Sequence, residues 1–186
     1  MNIFNNLRKT RTQNQNALNW YSNNAKRLKR IKPKQLMQDK DNLSANAQIG
    51  RMYMFNYNPK TKEKLPYYDR FPLVIPIEPY SNGFLGLNFH YLKPKHRLVL
   101  MNALIKLASD QRLGENAKIQ ATYKLLSKST KYKWFKPTLK RYLNAHVQSR
   151  FLKILPSDWD MAIFLPVERF EKSGKKSVWA DSGRMV

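Results

Sequence analysis

The chain has 186 residues, 42% of them apolar and 12% aromatic, enough to bury a core and too many for wholesale disorder. Its 35 Lys and Arg against 12 Asp and Glu leave a formal charge of +23. That excess suits a phosphate-rich partner and is foreign to an enzyme for small neutral substrates. The absence of cysteine excludes a disulfide framework, a thiol nucleophile and a thiolate zinc site.

Residues 1–40 carry ten basic residues and one acid, Asp39, in a background rich in Asn and Gln. No long apolar stretch follows the first charges, so the segment does not read as a secretory signal. Leu18, Tyr21, Ala25 and Leu28 recur at spacings of three and four and predict a helix from about Asn14 to Ile31. Lys26, Arg27, Lys29 and Arg30 crowd its last turns, and Pro33 stops it. With one apolar stripe, residues 1–49 are expected to project as a basic helical arm.

Residues 50–92 hold most of the β-type signal. Met52–Tyr57, Phe71–Ile77 and Phe84–Leu92 read as three antiparallel strands, with a loop at 58–64 and a turn at Ser81-Asn82-Gly83. Pro72 and Pro76 favour an edge position for the second strand, and Gly86 marks a bulge or tight bend in the third. Over 94–149 the period becomes helical, with stripes at Leu100, Ala103, Leu104 and Leu107, at Ile119, Tyr123 and Leu126, and at Leu139, Leu143, His146 and Val147. Phe151–Leu155 and Met161–Pro166 read as further strands, and 173–186 as a basic, peripheral tail. The expected class is α+β: a small SH3-like antiparallel barrel over 50–172 with a helical insertion at 94–149. An open sheet with helices on one face is the alternative. Core candidates are Tyr53, Phe55, Leu73, Ile75, Leu85, Leu87, Phe89, Leu104, Leu107, Leu143, Ile154, Ile163 and Phe164.

Catalytic sets are weak. Asp158, Asp160 and Glu168 are the densest acids, but no Lys stands where a metal-dependent nuclease would place it, and Asp158 after Ser157 equally suits a helix start. Asp69 and Arg70 read as a local ion pair in a turn. His90, His96 and His146 lack metal-site spacing, and six glycines include no phosphate-cradling loop. No catalytic residue, metal site or cofactor is expected, and no run is long and apolar enough for a membrane span.

The binding signal is stronger. From Lys118 to Lys153 there are ten basic residues and no acid. Lys124 and Lys128, and Lys136 and Lys140, are each one helical turn apart, with Arg141 adjacent. Lys131, Lys133 and Lys136 interleave with Tyr132, Trp134 and Phe135, a pattern that can combine phosphate contact with base stacking, although for Trp134 and Phe135 a place in the core is the favoured reading. The expected nucleic-acid contacts are therefore Lys124, Lys128, Lys131, Lys133, Lys136, Lys140 and Arg141, helped by Lys26, Arg27, Lys29 and Arg30.

Three segments, Gly50-Arg51-Met52-Tyr53-Met54-Phe55, Leu65–Val74 and Gly83–Leu92, resemble a small virion protein of large contractile-tailed phages, the DNA end protector family. The resemblance covers about 50–100, weakens around Trp159–Phe170, and has no counterpart for residues 1–40. It implies a virion protein, assembled in the host cytoplasm, that shields packaged genome ends by steric cover. Its implied partners are linear duplex DNA ends and other phage virion proteins, with no membrane. The competing reading is a structural neck, tail or baseplate component whose basic arms bridge neighbouring virion subunits.

Overall fold

The computed structural model describes residues 3–12, 15–108 and 134–186. Helices α1 (Ile3–Arg8), α2 (Ala17–Leu28) and α3 (Pro33–Leu36) open the chain. The Asn16 side chain caps α2 by accepting from the Asn19 amide at 2.8 Å. Pro33 does more than stop α2: it begins α3, where its missing N–H costs nothing.

The strands are β1 (Leu43–Ser44), β2 (Met52–Met54), β3 (Tyr68–Asp69), β4 (Leu73–Tyr80), β5 (Gly83–Asn88), β6 (Leu139–Leu143), β7 (Phe151–Ile154) and β8 (Phe170–Glu171). Six form one antiparallel sheet in the order β1-β7-β2-β4-β5-β6, and β3 pairs with β8 in a second. Helix α4 (Pro94–Ala108) follows β5 through a short 3₁₀ turn at Phe89–Tyr91. Helices α5 (Trp159–Ala162) and α6 (Lys175–Arg184) lie towards the C-terminus.

The expected meander of β2, β4 and β5 is present, and β7 joins it. The expected α+β class holds, but the barrel is not closed, and β1 and β6 are free edges of the main sheet. Backbone bonds from Asn58 N–H to His146 O (3.0 Å) and Gln148 N–H to Asn56 O (2.8 Å) nevertheless curl the sheet, joining the segments that follow β2 and β6.

Alternation along the strands sends side chains into two cores. Met52, Met54, Leu73, Ile75, Leu87, Leu152 and Ile154 face the larger one, which the helices cover. Tyr53, Val74, Phe84 and Phe151 face the opposite way, with Phe55, Tyr57 and Tyr142, into a smaller aromatic core. Phe55 stands at its centre, edge-on to Phe151 (4.9 Å) and Tyr142 (5.4 Å). Of the expected core, Leu85 and Leu143 are only partly buried, and the Leu107 side chain lies outside the described residues.

Four expectations are corrected. Residues 1–40 do not project: Phe4, Leu7, Trp20, Leu28 and Leu36 belong to the larger core, and Tyr21 stacks on Phe164 at 4.7 Å. One stripe sufficed because the body supplies the facing surface. The Met161–Pro166 run is not a strand. Met161, Ala162, Ile163, Phe164 and Leu165 are all buried, on α5 and the turn after it, and a run buried on every side carries no period to read. Leu139–Leu143 is edge strand β6 rather than helix. β4 is internal despite its prolines, because β2 pairs only with Leu73 and Val74, ahead of Pro76. The Pro76 carbonyl instead accepts from the Gly50 amide at 2.8 Å, and the expected irregularity falls in β4 between Pro76 and Glu78, opposite Gly86.

The expected tail is also anchored. Val178 is buried, and the Trp179 indole N–H donates to the His90 carbonyl at 2.8 Å.

Burial of Trp20 at 0% exposure makes it a direct test of the N-terminal packing. Trp20→Ala is expected to cost about 3–5 kcal/mol, lowering the melting temperature by roughly 6–20 °C in a calorimetric scan of a domain this size. A melting temperature equal to the parent's would restore the projecting arm.

Candidate nucleic-acid interface

Carboxylates are scarce in this chain, and most described ones are spent internally. Arg8 grips Asp158 with two bonds of 2.6 Å, from Nε and Nη2, and Arg11 pairs with Asp160. Two of the three acids weighed for a metal site therefore fasten the N-terminal segment to α5 and the turn before it. Arg70 pairs with Glu171 across the β3–β8 ladder, not with Asp69. Arg184 pairs with Asp181 within α6.

Beneath the β3–β8 ladder lies a buried charged network. Asp69 Oδ2 is 2.7 Å from His90 Nδ1 and 3.3 Å from Asn88 Nδ2. Its Oδ1 accepts from the amides of Phe71 (3.1 Å) and Arg169 (3.0 Å). Asn88 also donates to the Tyr142 hydroxyl at 3.1 Å. Farther in, Arg97, 1% exposed, donates to the carbonyls of Leu92 (2.8 Å) and Ile163 (2.9 Å), and its Nη2 is 3.6 Å from Glu168 Oε2. Lys175 reaches the other Glu168 oxygen at 3.0 Å. Burial alone would raise the Glu168 carboxyl, but Arg97, His90 and Lys175 outweigh it and hold it down at about 2.

The expected contact residues divide by element. Lys26, Arg27, Lys29 and Arg30 are all exposed on and just past the end of α2, and none pairs with a carboxylate among the described residues. Lys136 is exposed in a 3₁₀ turn at Lys136–Thr138. Lys140 and Arg141 are neighbours on β6 and so point to opposite faces. Arg141 lies over the Tyr80 ring at 3.7 Å and donates to Asn82 Oδ1 at 2.5 Å. Lys140 turns inward, 4.1 Å from the Tyr91 ring, where burial brings its ammonium down to about 8. The expected helical pairing of Lys136 with Lys140 is therefore absent. Lys124, Lys128, Lys131 and Lys133 lie outside the described residues.

Of the aromatics in the sequence pattern, Tyr132 lies outside the described residues, Trp134 is half-buried against the larger core, and Phe135 belongs to it. Phe135 is buried, and Trp134 stacks on His96 at 3.6 Å. The aromatics against the cations of β6 are instead Tyr80 and Tyr91, far from them in sequence. Strand pairing of β4 with β5 and of β5 with β6 brings them together, and no local motif announces that.

Within this open α+β frame most described carboxylates are paired while many cations stay exposed, a charge distribution that suits a polyanion partner. A family model described as Phage T4 terminal DNA protecting protein matches residues 1–182, and the chain belongs to that family. The match includes the N-terminal segment, in keeping with its place in the core. Terminal DNA protection, with DNA as the partner, is the family's function. No curated protein and no solved structure matches the chain. No helix among the described residues is long and apolar enough to cross a membrane.

The Glu168 network predicts an acid limit. The folded carboxyl titrates near 2, below its unfolded value of about 4.3. Its stabilising contribution is therefore full above that unfolded value and falls away as pH drops towards 2. Urea midpoints measured from pH 6 to pH 2 should decline across that window, and Glu168→Gln should flatten the decline.

Proposed function

We propose that the protein caps the ends of linear phage DNA by steric cover, breaking no bond, and that phosphate contacts supply most of its affinity. The observation that carries this reading is the charge economy: Asp158, Asp160 and Glu168 are taken up in internal pairs while Lys26, Arg27, Lys29, Arg30 and Lys136 stand exposed and unpaired among the described residues. Lys140, Arg141 and the sequence-assigned Lys124, Lys128, Lys131 and Lys133 complete the proposed contact set. The proposed contacts are to phosphates, which position a duplex without reading its sequence, and this supports weak sequence preference.

The curl of β2, β4, β5 and β6 around the aromatic core supports reading the body as an incomplete SH3-like barrel. We place the protein in the virion, among other virion proteins, after assembly in the host cytoplasm.

Each neutralised phosphate releases condensed counterion, so log affinity should fall linearly with log salt at about −0.9 per contact. Six to ten contacts would cost roughly 10³–10⁵ in affinity between 50 and 200 mM salt. Changing Lys136 and Arg141 together to Glu should weaken binding and flatten the slope in a fluorescence titration of linear duplex, with the circular dichroism spectrum unchanged. A near-zero slope in the parent would instead favour a structural role, with the cations set against acidic surfaces of neighbouring subunits.

A further inference from the structure

A cleft of about 450 Å³ opens beside β6, within the range of sites that enclose a small ligand. Its walls include Tyr57, Tyr91 and Tyr142, all buried, with half-buried Tyr67 among its lining residues. Tyr67 is braced by Tyr91 (6.0 Å) and Phe170 (6.4 Å) and lies near Asp181, which Arg184 neutralises. Lys140 also lines the cleft, against the Tyr91 ring, with no carboxylate partner among the described residues. A half-buried ammonium without a counter-charge is costly, and an anion entering the cleft would offset that cost. The lining carboxylate Asp69 does not fill the role: His90, Asn88 and two backbone amides already engage it.

These features together suit a ligand that brings both a flat ring and a phosphate. Within a duplex, each base is stacked on both sides and carries only a diester. At a terminus the last base has one free face, frays at the least cost, and can carry a phosphate monoester with an added negative charge. We propose that this cleft receives the terminal nucleotide of a DNA strand, with Lys140 on its phosphate monoester and Tyr67 against its base. The site rests on the reading of the protein as a DNA-end cap and deepens it: the surface cations hold any duplex, and the cleft distinguishes an end from the interior.

The test compares the full chain's affinity, at one salt concentration, for a short linear duplex and for a dumbbell of the same sequence closed by hairpins at both ends. The linear duplex is used with 5′-phosphate, with 3′-phosphate and with hydroxyl termini. One arm of phosphorylated ends should bind about tenfold more tightly than the dumbbell, an effect of the size of one base stack, and the arm that does so assigns the strand end. Lys140→Met should cost that arm about tenfold more than it costs the dumbbell, and Tyr67→Ala should reduce binding of phosphorylated and hydroxyl ends alike. A mononucleotide 5′-phosphate should compete only weakly.

Equal affinity for linear and closed DNA, with the steep salt dependence intact, would overturn the cleft assignment and leave the capping surface standing. Mononucleotide binding as tight as that of the duplex end would also overturn it, marking a free-nucleotide site. Absence of any DNA binding would overturn both. The parent chain's own preference decides the question should either variant fail to fold.

Discussion

A buried carboxylate is costly unless partners surround it, and Asp69 shows what that cost does to a fold. At 4% exposure it takes bonds from the Phe71 and Arg169 amides and the Asn88 amide group, and it faces the His90 ring. Those partners come from the segment between β3 and β4, the end of β5, the 3₁₀ turn after it and the segment leading into β8. One side chain thereby ties the second sheet to the first. It also sets the depth of the 3₁₀ turn that carries Tyr91, against which Lys140 rests. The His90 carbonyl then takes the Trp179 indole, so α6 is fastened to the same point.

The other acids extend the principle across the molecule. Glu168 neutralises Arg97, which would otherwise be an orphan guanidinium in the core, while Asp158 and Asp160 hold the N-terminal segment through Arg8 and Arg11. Carboxylates spent in this way cannot screen the surface. A protein with 12 acids and 35 cations thus achieves a specific interior and an unneutralised exterior with the same few residues. The interior pairs contribute through the cost of leaving either partner alone, not through a large net gain. The exterior charge gives long-range attraction to a polyanion.

The sheet depends on close approach as much as on charge. A Cβ built on Gly83 would lie 1.9 Å from the Tyr142 carbonyl oxygen, so β5 and β6 meet there only because residue 83 has no side chain. A Cβ on Gly86 would meet Val74 at 2.4 Å. These two glycines let β4, β5 and β6 lie together, and that stacking delivers Tyr80 and Tyr91 to the cations of β6.

Several features were legible in the residues alone. The alternation of Phe84 and Leu87 separated the two faces of β5. The Leu18–Leu28 stripe marked α2, and the cation excess indicated a phosphate-rich partner. These signals are local or compositional, so they survive without knowledge of neighbours. The tertiary structure alone decided the rest. Leu139 and Leu143 have a spacing that a helix would use, yet β5 offers a free edge and takes them as a strand. Met161–Leu165 is apolar throughout, and burial on all sides erases the distinction between helix and strand. The N-terminal segment is poor in apolar residues, but Trp20, Leu28 and Leu36 find their partners across more than a hundred residues of chain. The sequence by itself determined that this protein is basic, α+β and suited to phosphate. Which cations stay outside and which one turns in towards a cleft of tyrosines follows from long-range strand pairing, whose partners no local pattern encodes.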